Sequence, residues 1–402
     1  MSVATRGMRP VGLMDCLDRG RASGFRAAVS LHAHTHHSKE IMADLPAYIV
    51  RIPFVSKLFE RELRAYMERD GQAVDFSKGW WHPPVSPRAV FESEVAQIEN
   101  SLQLAPLVSI TDHDDVTAGL ELQARYNRHC APVSFEWTAP YHEGYFHIGV
   151  HNLPPDSATE WFTRLADHTR DGRCDRLPDL VAALADESDV LLVLNHPQWD
   201  LAGIGDAAHE AALIRFIAQF RPYLHALELN GYRSWSENEA TCALSAATDI
   251  PLISGGDRHA CAPNAMLNLT HARSFSEFAA EVRAGVSEVL IMPEYREHLA
   301  VRKLSAAAEV LRRYPEYPRE RQNWTDRVSC EWEGQVRPLS YHWPDGGPLW
   351  VRSAVCTFQV ITGRLGLPIV NLALGRFEGG AGAPQAPGLT QRVSIADGLS
   401  QN

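Results

Sequence analysis

The most constraining feature of this sequence is a set of four histidine-containing clusters, each directly after a short apolar or β-prone run. The clusters read His32-Ala33-His34, Thr111-Asp112-His113, Asn195-His196-Pro197 and Gly256-Asp257-Arg258-His259. Glu136 and His147 lie on two further runs of alternating pattern. Because the carboxyl ends of parallel strands meet on one face of an α/β fold, these side chains are predicted to converge. Imidazoles and carboxylates without thiolates favour Zn, Mn or Fe and argue against a structural zinc finger.

The order of the predicted elements indicates an α/β fold. Strands are predicted at 27–31, 106–110, 133–138, 145–152, 191–194, 224–229, 251–254 and 289–292, with helices at 115–126, 177–186, 207–219 and 236–247. Alternating strands and helices are typical of a parallel sheet, and about seven such units can be counted. In two of the strands, apolar side chains alternate with polar ones that include Glu136 and His147, as in a barrel wall around a polar centre.

Three segments fall outside this pattern, so the barrel-like part is predicted to span residues 27–292. Residues 41–105 are predicted to be an insertion that ends in an amphipathic helix over 87–102. Residues 293–376 are predicted to be a C-terminal appendage, whose apolar second half either packs on the chain or presents a face to a partner. Residues 377–402 are rich in Gly, Ala, Pro, Gln and Ser and are predicted to be disordered.

Composition narrows the partners and the cellular location. The 402-residue chain has a formal net charge of -11, which argues against broad electrostatic binding to nucleic acid. A small phosphorylated substrate remains compatible with this charge, because bound cations would reverse its sign locally. The 7 cysteines are scattered without a Cys-x-x-Cys pair, as expected for reduced thiols in the cytoplasm. We find no apolar stretch that predicts a signal peptide or a membrane span.

Taken together, the clusters resemble the motifs of the PHP family, named for its polymerase and histidinol phosphatase members. The resemblance covers residues 27–260, and the motifs occur in the family's order. They are Leu31-His32-Ala33-His34-Thr35, Ile110-Thr111-Asp112-His113-Asp114, Glu136 followed by His147, His196-Pro197, and Asp257-Arg258-His259. The resemblance implies a distorted seven-unit (βα) barrel with two or three divalent metal ions at the carboxyl ends of its strands, where barrel active sites generally lie.

The resemblance also implies a ligand set for each ion. The first ion would be held by His32, His34, Glu136 and Asp257. The second would be held by Glu136, His147 and His196, which makes Glu136 a bridge between the two. The third would be held by His113, His259 and one residue of the loop after His34. The expected catalytic residues are Glu136, His113, Asp257 and Arg258.

Two positions depart from the family pattern. Where the family usually has Asp, five residues after the second histidine, this chain has Lys39, and Glu40 follows it. A protonated lysine cannot bind a metal ion, so either Glu40 completes the third position or Lys39 replaces its charge; we favour the second alternative. Arg258 stands where the family has a small residue, and it forms either a surface ion pair or a guanidinium clamp on a substrate oxyanion. In the insertion, the Trp80-Trp81-His82 loop forms a lid or a hydrophobic anchor.

We therefore expect a metal-dependent hydrolase, and specifically a phosphoesterase that acts on a small phosphorylated substrate. Two close metal ions stabilise the attacking hydroxide and the leaving oxygen, so no Ser, Cys or Asp nucleophile is required. The same chemistry also permits hydrolysis of a C–N bond, because a metal-bound hydroxide attacks carbonyls. A third alternative is a non-catalytic module that binds metal only for structure or regulation, and Lys39 is the one residue that favours it.

Overall fold

The structure, a computed structural model, describes residues 12–15, 22–43, 45–50, 55–71, 73–126, 131–172, 174–313, 319–363, 366 and 368. Its strands are β1 (Gly12–Asp15), β2 (Ala27–Leu31), β3 (Glu40–Ile41), β4 (Gly79–Trp81), β5 (Ala105–Ser109), β6 (Val133–Tyr141), β7 (Gly144–Leu153), β8 (Leu191–Leu194), β9 (Ala226–Asn230), β10 (Leu252–Gly255), β11 (Met266–Thr270), β12 (Glu288–Ile291), β13 (Val328–Trp332) and β14 (Gln335–Pro338). The tail predicted at 377–402 lies outside the described residues.

The helices fill most of the gaps between these strands. Those of the first half are Leu45–Ile49, Val55–Asp70, Pro87–Gln97, Thr117–Arg125, Ala158–Asp171 and Leu177–Asp186. Those of the second half are Asp206–Phe220, Trp235–Thr248, Phe275–Arg283, Leu299–Leu311, Leu339–His342 and Leu349–Ile361. The helix predicted over 87–102 is confirmed, because Pro87–Gln97 continues into a π-helical turn, Ile98–Leu102. Among the described helices, none is long and apolar enough to cross a bilayer.

Two five-stranded sheets carry most of the predicted strands. Their orders are β1-β12-β11-β2-β5 and β10-β9-β8-β7-β6. The pairs β2–β5, β8–β9 and β9–β10 are parallel, as expected from the helical crossovers. In contrast, β7 is antiparallel to both of its neighbours. Only two residues separate β6 from β7, which permits a hairpin but is far too short for a parallel crossover.

A closed seven-unit barrel is not confirmed, because the strands form two open sheets in the described part of the chain. The sheets are nevertheless connected just beyond the strands that precede the predicted ligands. An isolated bridge pairs His113 with Glu136, and another pairs Ala33 with Arg258. Side chains of both sheets also share one buried cluster, which includes Val29, Leu107 and Val193. The fold is therefore a mixed α/β arrangement that brings these strand ends together.

A third sheet joins two segments that the sequence separates. Its order is β14-β13-β4-β3, so the insertion strand β4 lies between β3 and a strand from the C-terminal part of the chain. All its pairs are antiparallel, and Trp81 of β4 pairs with Glu40 on one side and Val328 on the other. The insertion and the C-terminal segment are therefore not two independent additions, since they form one sheet beside the ligand clusters.

Candidate metal centre

Glu136 lies at the centre of the converging side chains. Its carboxylate is fully buried on β6, and Thr138 of this strand pairs with His147 of β7. Because residues two apart share a face of a strand, this register places Glu136 and His147 on the same face of the hairpin. Gly149, the partner of Glu136, leaves room there, because a Cβ on it would lie 2.9 Å from Asn195 Oδ1. The imidazoles with a nitrogen within 3.5 Å of a Glu136 oxygen belong to His32, His34, His113, His147 and His196.

Unusual backbone conformations at the strand ends direct several of these side chains toward the cluster. His32, His196 and Asp257 all have positive φ values, of 62°, 27° and 53°. Non-glycine residues adopt this region at a cost, and such strain concentrates at functional sites. The turn at Asp257 brings its carboxylate Oδ1 to 3.4 Å from His34 Nε2 and 3.6 Å from His32 Nε2. The backbone therefore turns the predicted ligands inward at the point where each strand ends.

A second carboxylate, Glu40, organises the outer part of the cluster. Its Oε2 lies 3.3 Å from His113 Nε2 and 3.2 Å from His259 Nε2, and its Oε1 lies 3.8 Å from His34 Nδ1. The neighbouring Lys39 is exposed and holds its ammonium over the Trp80 ring, 5.7 Å from the centroid. The structure therefore does not place Lys39 in the third position, because the buried side chain there is Glu40.

All nine predicted ligands fall into groups that could hold an ion. Within each group the candidate ligand atoms lie within 4.8 Å of one another. The groups are His34, Glu40, His113 and His259; His32, His34 and Glu136; His32, His196 and Asp257; and His113, Glu136 and His147. The partition differs from the expected one at His34, which also faces the Glu40 group, and at His113, whose two nitrogens face Glu40 and Glu136. It differs also at His196, which groups with His32 and Asp257 instead of with Glu136 and His147.

Buried nitrogens in the cluster are consistent with metal ligands. His34 Nε2, His113 Nδ1, His147 Nδ1 and His196 Nδ1 are buried and have no hydrogen-bond partner among the described residues. Two of them, on His113 and His147, lie 3.0 and 3.1 Å from Glu136 oxygens, so they are close without the alignment of a hydrogen bond. Since buried polar atoms are nearly always satisfied, such orphaned nitrogens require an explanation, and a bound cation supplies one.

The electrostatics of the cluster are those of ionised carboxylates among imidazoles. Burial alone would raise the pKa of Glu136, but the charges of His32, His147 and His113 hold that pKa well below its ordinary value. Burial and the charges of His259 and His113 lower the pKa of His34 to about 3, which keeps this imidazole neutral. Metal ligands must be deprotonated carboxylates and neutral imidazoles, so Glu136 and His34 are in the states that a metal ion needs. The neighbouring carboxylates raise the pKa of His32, His113 and His259 despite burial, so these imidazoles would release protons when an ion binds.

Three polar residues to which the sequence analysis gave no role support the predicted ligands. Glu228 on β9 accepts a hydrogen bond from His32 Nδ1 at 2.5 Å and from the backbone N–H of His196 at 2.8 Å. Asn195 donates to Glu136 Oε1 at 2.9 Å, and Asn230 donates to Glu228 and Asp257. A carboxylate on the outer nitrogen of a ligating histidine fixes its tautomer and ring orientation. The available signal for Glu228 was its position near the end of a predicted strand.

Arg258 does not face the cluster, which corrects its expected catalytic role. Its guanidinium is buried and paired with Glu94, 2.5 Å away, in the helix Pro87–Gln97. The remaining N–H groups donate to Ser93 Oγ and to the carbonyls of Ala260 and Cys261. Arg258 is therefore neither a surface ion pair nor a clamp on substrate, because every donor on the guanidinium is already used inside the protein.

Aromatic side chains and a different arginine line the approach to the cluster. The rings of Trp81 and Tyr232 lie 5.9 and 6.2 Å from the ring of His259. Trp199 lies 5.2 Å from the ring of His196 and carries the guanidinium of Arg233 at 3.3 Å from its centroid. Arg233 and His196 line the same small cavity. Trp81 thus forms part of one wall of the site, next to His259. Arg233 places a guanidinium next to His196.

Comparisons with known proteins leave the chain without an assigned family. No family model matches it, and no curated protein matches it. Among solved structures, it is similar to an amidohydrolase from Chromobacterium violaceum, solved with bound sulfate and no metal, at 13% identity and a TM-score of 0.35, covering 58% of this chain and 87% of that one. It is also similar to PsfC from Pseudomonas syringae, at 14% identity and a TM-score of 0.41, covering 71% and 99%. A third similar structure is a protein assigned as a metal-dependent phosphoesterase from Bifidobacterium adolescentis, at 16% identity and a TM-score of 0.33, covering 50% and 91%. Likenesses at these TM-scores carry no argument about chemistry, so the function rests on the geometry of the site.

Proposed function

We propose that this protein is a metal-dependent hydrolase, and specifically a phosphoesterase that acts on a small phosphorylated substrate. The observation that carries the proposal is the convergence of nine imidazole and carboxylate side chains around Glu136 and Glu40 in four groups of ion-binding dimensions. Bound Zn, Mn or Fe ions would supply a water molecule of lowered pKa and electrostatic stabilisation of the leaving oxygen. This chemistry requires no nucleophilic side chain, so the metal ligands by themselves support the proposal of a hydrolase.

The charge of the site favours a phosphate over a neutral amide. Four buried carboxylates face the cluster: Glu40, Glu136, Glu228 and Asp257. Two divalent ions would neutralise them, and a third would leave an excess of positive charge. A dianionic phosphate monoester matches that excess, whereas a neutral C–N substrate does not use it. The presence of Glu40 in the third group therefore supports the phosphoesterase alternative over hydrolysis of a C–N bond.

Each of the residues around the ions would then have its own role in the reaction. Glu136 belongs to two of the four groups and would fix their spacing. Glu228 would hold the His32 ring so that its Nε2 faces Glu136. His113 and His259, with side chains 15% and 16% exposed, mark the side from which a substrate enters. Arg233 would contribute positive charge to the substrate's phosphate, in the place first assigned to Arg258.

A reconstitution experiment tests the proposal. Protein stripped with a chelator and reloaded separately with Zn, Mn or Fe(II) would be assayed on p-nitrophenyl phosphate, nucleoside monophosphates and p-nitroanilides. We expect phosphate release only from the loaded protein, and loss of both bound metal and activity in Glu136→Gln. Hydrolysis of the anilides alone would establish the C–N alternative, and metal binding without any hydrolysis would establish the non-catalytic module. A protein that binds no metal would overturn the proposal altogether.

A further inference from the structure

The third ion position is defined by His34, Glu40, His113 and His259. We infer that this position is built by the C-terminal part of the chain, which holds the loop 35–40 in place through Arg321 and β13. The inference rests on the proposed function, since it concerns one of its ion positions. It makes the third ion position dependent on the C-terminal part of the chain, although none of its four ligands belongs to that part.

The first connection runs through the backbone of the third sheet. Glu40 is a residue of β3, where it pairs with Trp81 of β4, and Trp81 in turn pairs with Val328 of β13. The backbone N–H of His82 donates to the carbonyl of Arg327 at 2.7 Å. Since β3 is only two residues long, its position depends on the strands beside it.

The second connection is a direct tether from a C-terminal side chain to the loop. Arg321 donates from Nη1 to the carbonyl of His36 at 2.7 Å, across 285 residues of sequence. On the other side of the loop, His82 donates from Nδ1 to the carbonyl of Ser38, also at 2.7 Å. The segment between His34 and Glu40 is thus held at two of its carbonyls by side chains from outside it.

Ser38 passes this positioning on to the ligands themselves. Its hydroxyl donates to Glu40 Oε1 at 2.7 Å and accepts from the backbone N–H of His113 at 3.1 Å. Because its only proton goes to Glu40, Ser38 must accept from His34 Nδ1, which lies 3.2 Å away. His34 therefore carries its proton on Nδ1 and leaves the lone pair of Nε2 available for an ion. This nitrogen lies 3.4 Å from Asp257 Oδ1 and 3.5 Å from Glu136 Oε2. One hydroxyl sets the orientation of three side-chain or backbone groups of the third position.

The remaining ligands do not depend on this assembly. His32, Glu136, His147, His196 and Asp257 lie on or directly after strands of the two five-stranded sheets. Loss of the C-terminal tether should therefore weaken the third position most, because the other groups share only His34 and His113 with it.

Metal stoichiometry measured on the full-length chain tests the inference. Equilibrium dialysis against Mn, followed by elemental analysis, should give about one ion fewer per chain in Arg321→Ala at limiting metal, with the weakest ion bound at least about tenfold less tightly. Arg321→Lys retains one donor and should restore part of this affinity. Ser38→Ala should reproduce the loss without touching the C-terminal segment. The matched control is Arg319→Ala, which removes an exposed arginine from the same short 3-10 turn and should bind metal like the wild type.

The outcomes separate this inference from the proposed function. If Arg321→Ala and Ser38→Ala, verified as folded by circular dichroism, bind all ions with wild-type affinity, the inference is wrong. A wild-type protein that holds two ions and never a third would also overturn it while leaving the hydrolase proposal intact. If the wild type binds no ion, the proposed function fails first. Glu40→Gln should lose the same ion as Arg321→Ala, and Lys39→Ala should lose none.

Discussion

Arg258 illustrates how a charged side chain acquires a structural role inside a protein. Its guanidinium and the carboxylate of Glu94 are both buried, at 4% and 0% exposure, so each depends on the other for compensation. Removal of one partner from a buried ion pair typically costs about 3–5 kcal/mol, since the other charge is left uncompensated. Arg258→Met should lower the free energy of unfolding by this amount in urea titrations. Arg88→Ala, which breaks an exposed pair with Glu92, should cost no more than about 0.5 kcal/mol. A stable Arg258→Met with a raised KM would instead return Arg258 to substrate binding.

Arg233 is expected to show the opposite signature. Its guanidinium stacks on Trp199 beside His196, and its Nη1 lies 3.9 Å from Glu237 Oε1. The charge of Arg233 is therefore near the cluster, but Arg233 is not one of the predicted ligands. Arg233→Met should raise KM for p-nitrophenyl phosphate by about tenfold, the equivalent of one charge-assisted hydrogen bond, at unchanged metal content. The measurement is steady-state kinetics beside elemental analysis of the same preparation. Loss of metal together with activity would show that Arg233 acts on the ligands rather than on the substrate.

His225 gives the folded chain a sensitivity to acid that is separate from the site. Its Nδ1 accepts the backbone N–H of Leu192 at 2.8 Å, and burial together with the charge of Arg283 lowers the pKa of His225 from 6.5 to about 4. The unfolded chain therefore binds more protons between these two pH values, so the contribution of His225 is complete above pH 6.5 and is lost as the pH falls toward 4. His225→Asn keeps an acceptor and does not titrate. Between pH 7.5 and 4.5, urea titrations should show the wild type losing on the order of 2 kcal/mol more than this variant. Equal losses of unfolding free energy in the two proteins would show that His225 is not a buried, neutral imidazole in the folded chain.

The candidate site was readable at the residue scale because its ligands occur in short local patterns. The nine predicted ligands do come together, whereas Glu228 and Arg321 act through partners that are remote in sequence, which no local pattern records. Arg258 was assigned to the substrate because it lies between two predicted ligands. The structure shows that Arg258 instead pairs through its backbone with Ala33 and through its guanidinium with Glu94. Both partners are remote in sequence, so the local pattern around Arg258 could not exclude a clamp.

At the scale of elements, positions were easier to predict than pairings. Hydrophobic periodicity located β2 and β8 to the residue, since both are short, fully buried runs between polar clusters. It did not reveal that β6 and β7 form a hairpin, although two connecting residues cannot make a crossover. It also missed β11, whose antiparallel pairing with β2 and β12 has no signature in its own residues. The third sheet was beyond prediction because its strands are far apart in sequence.

The end of β10 allows a test of how closely its backbone must approach the ligands. A Cβ on Gly255 would lie 1.8 Å from Glu228 Oε1 and 2.9 Å from His32 Cβ. Glu228 cannot move aside without losing its hydrogen bond to His32. Gly255→Ala should therefore destabilise the fold by about 1–3 kcal/mol and weaken metal binding, as measured by urea titration and equilibrium dialysis.

Gly144→Ala provides the control, because its nearest contact would be an ordinary 3.5 Å from Ala202 Cβ. This variant should resemble the wild type in both measurements. If Gly255→Ala also does so, the close packing of β10 against Glu228 is not required.

For the whole molecule, the proposed metal site would make the free energy of unfolding depend on bound metal. Ions that bind only the folded chain stabilise it by about 2.7 kcal/mol when the free metal is 100 times the Kd. A chelator should therefore lower the Tm of the wild type, and added Mn or Zn should restore it in a concentration-dependent way. Glu136→Gln, which lacks the central carboxylate, should show little shift in differential scanning fluorimetry. A wild-type Tm that is indifferent to chelator and metal would mean that the cluster binds no ion in the folded state.

The third sheet also fixes the order in which a newly made chain can become complete. Glu40 leaves the ribosome early, but β13 and Arg321 follow only after the strands of both five-stranded sheets have been synthesised. A nascent chain can therefore assemble the sites around Glu136 while the loop of Glu40 is still without its tether. If the third position requires this tether, as inferred above, it would become able to bind an ion only after synthesis has passed residue 332.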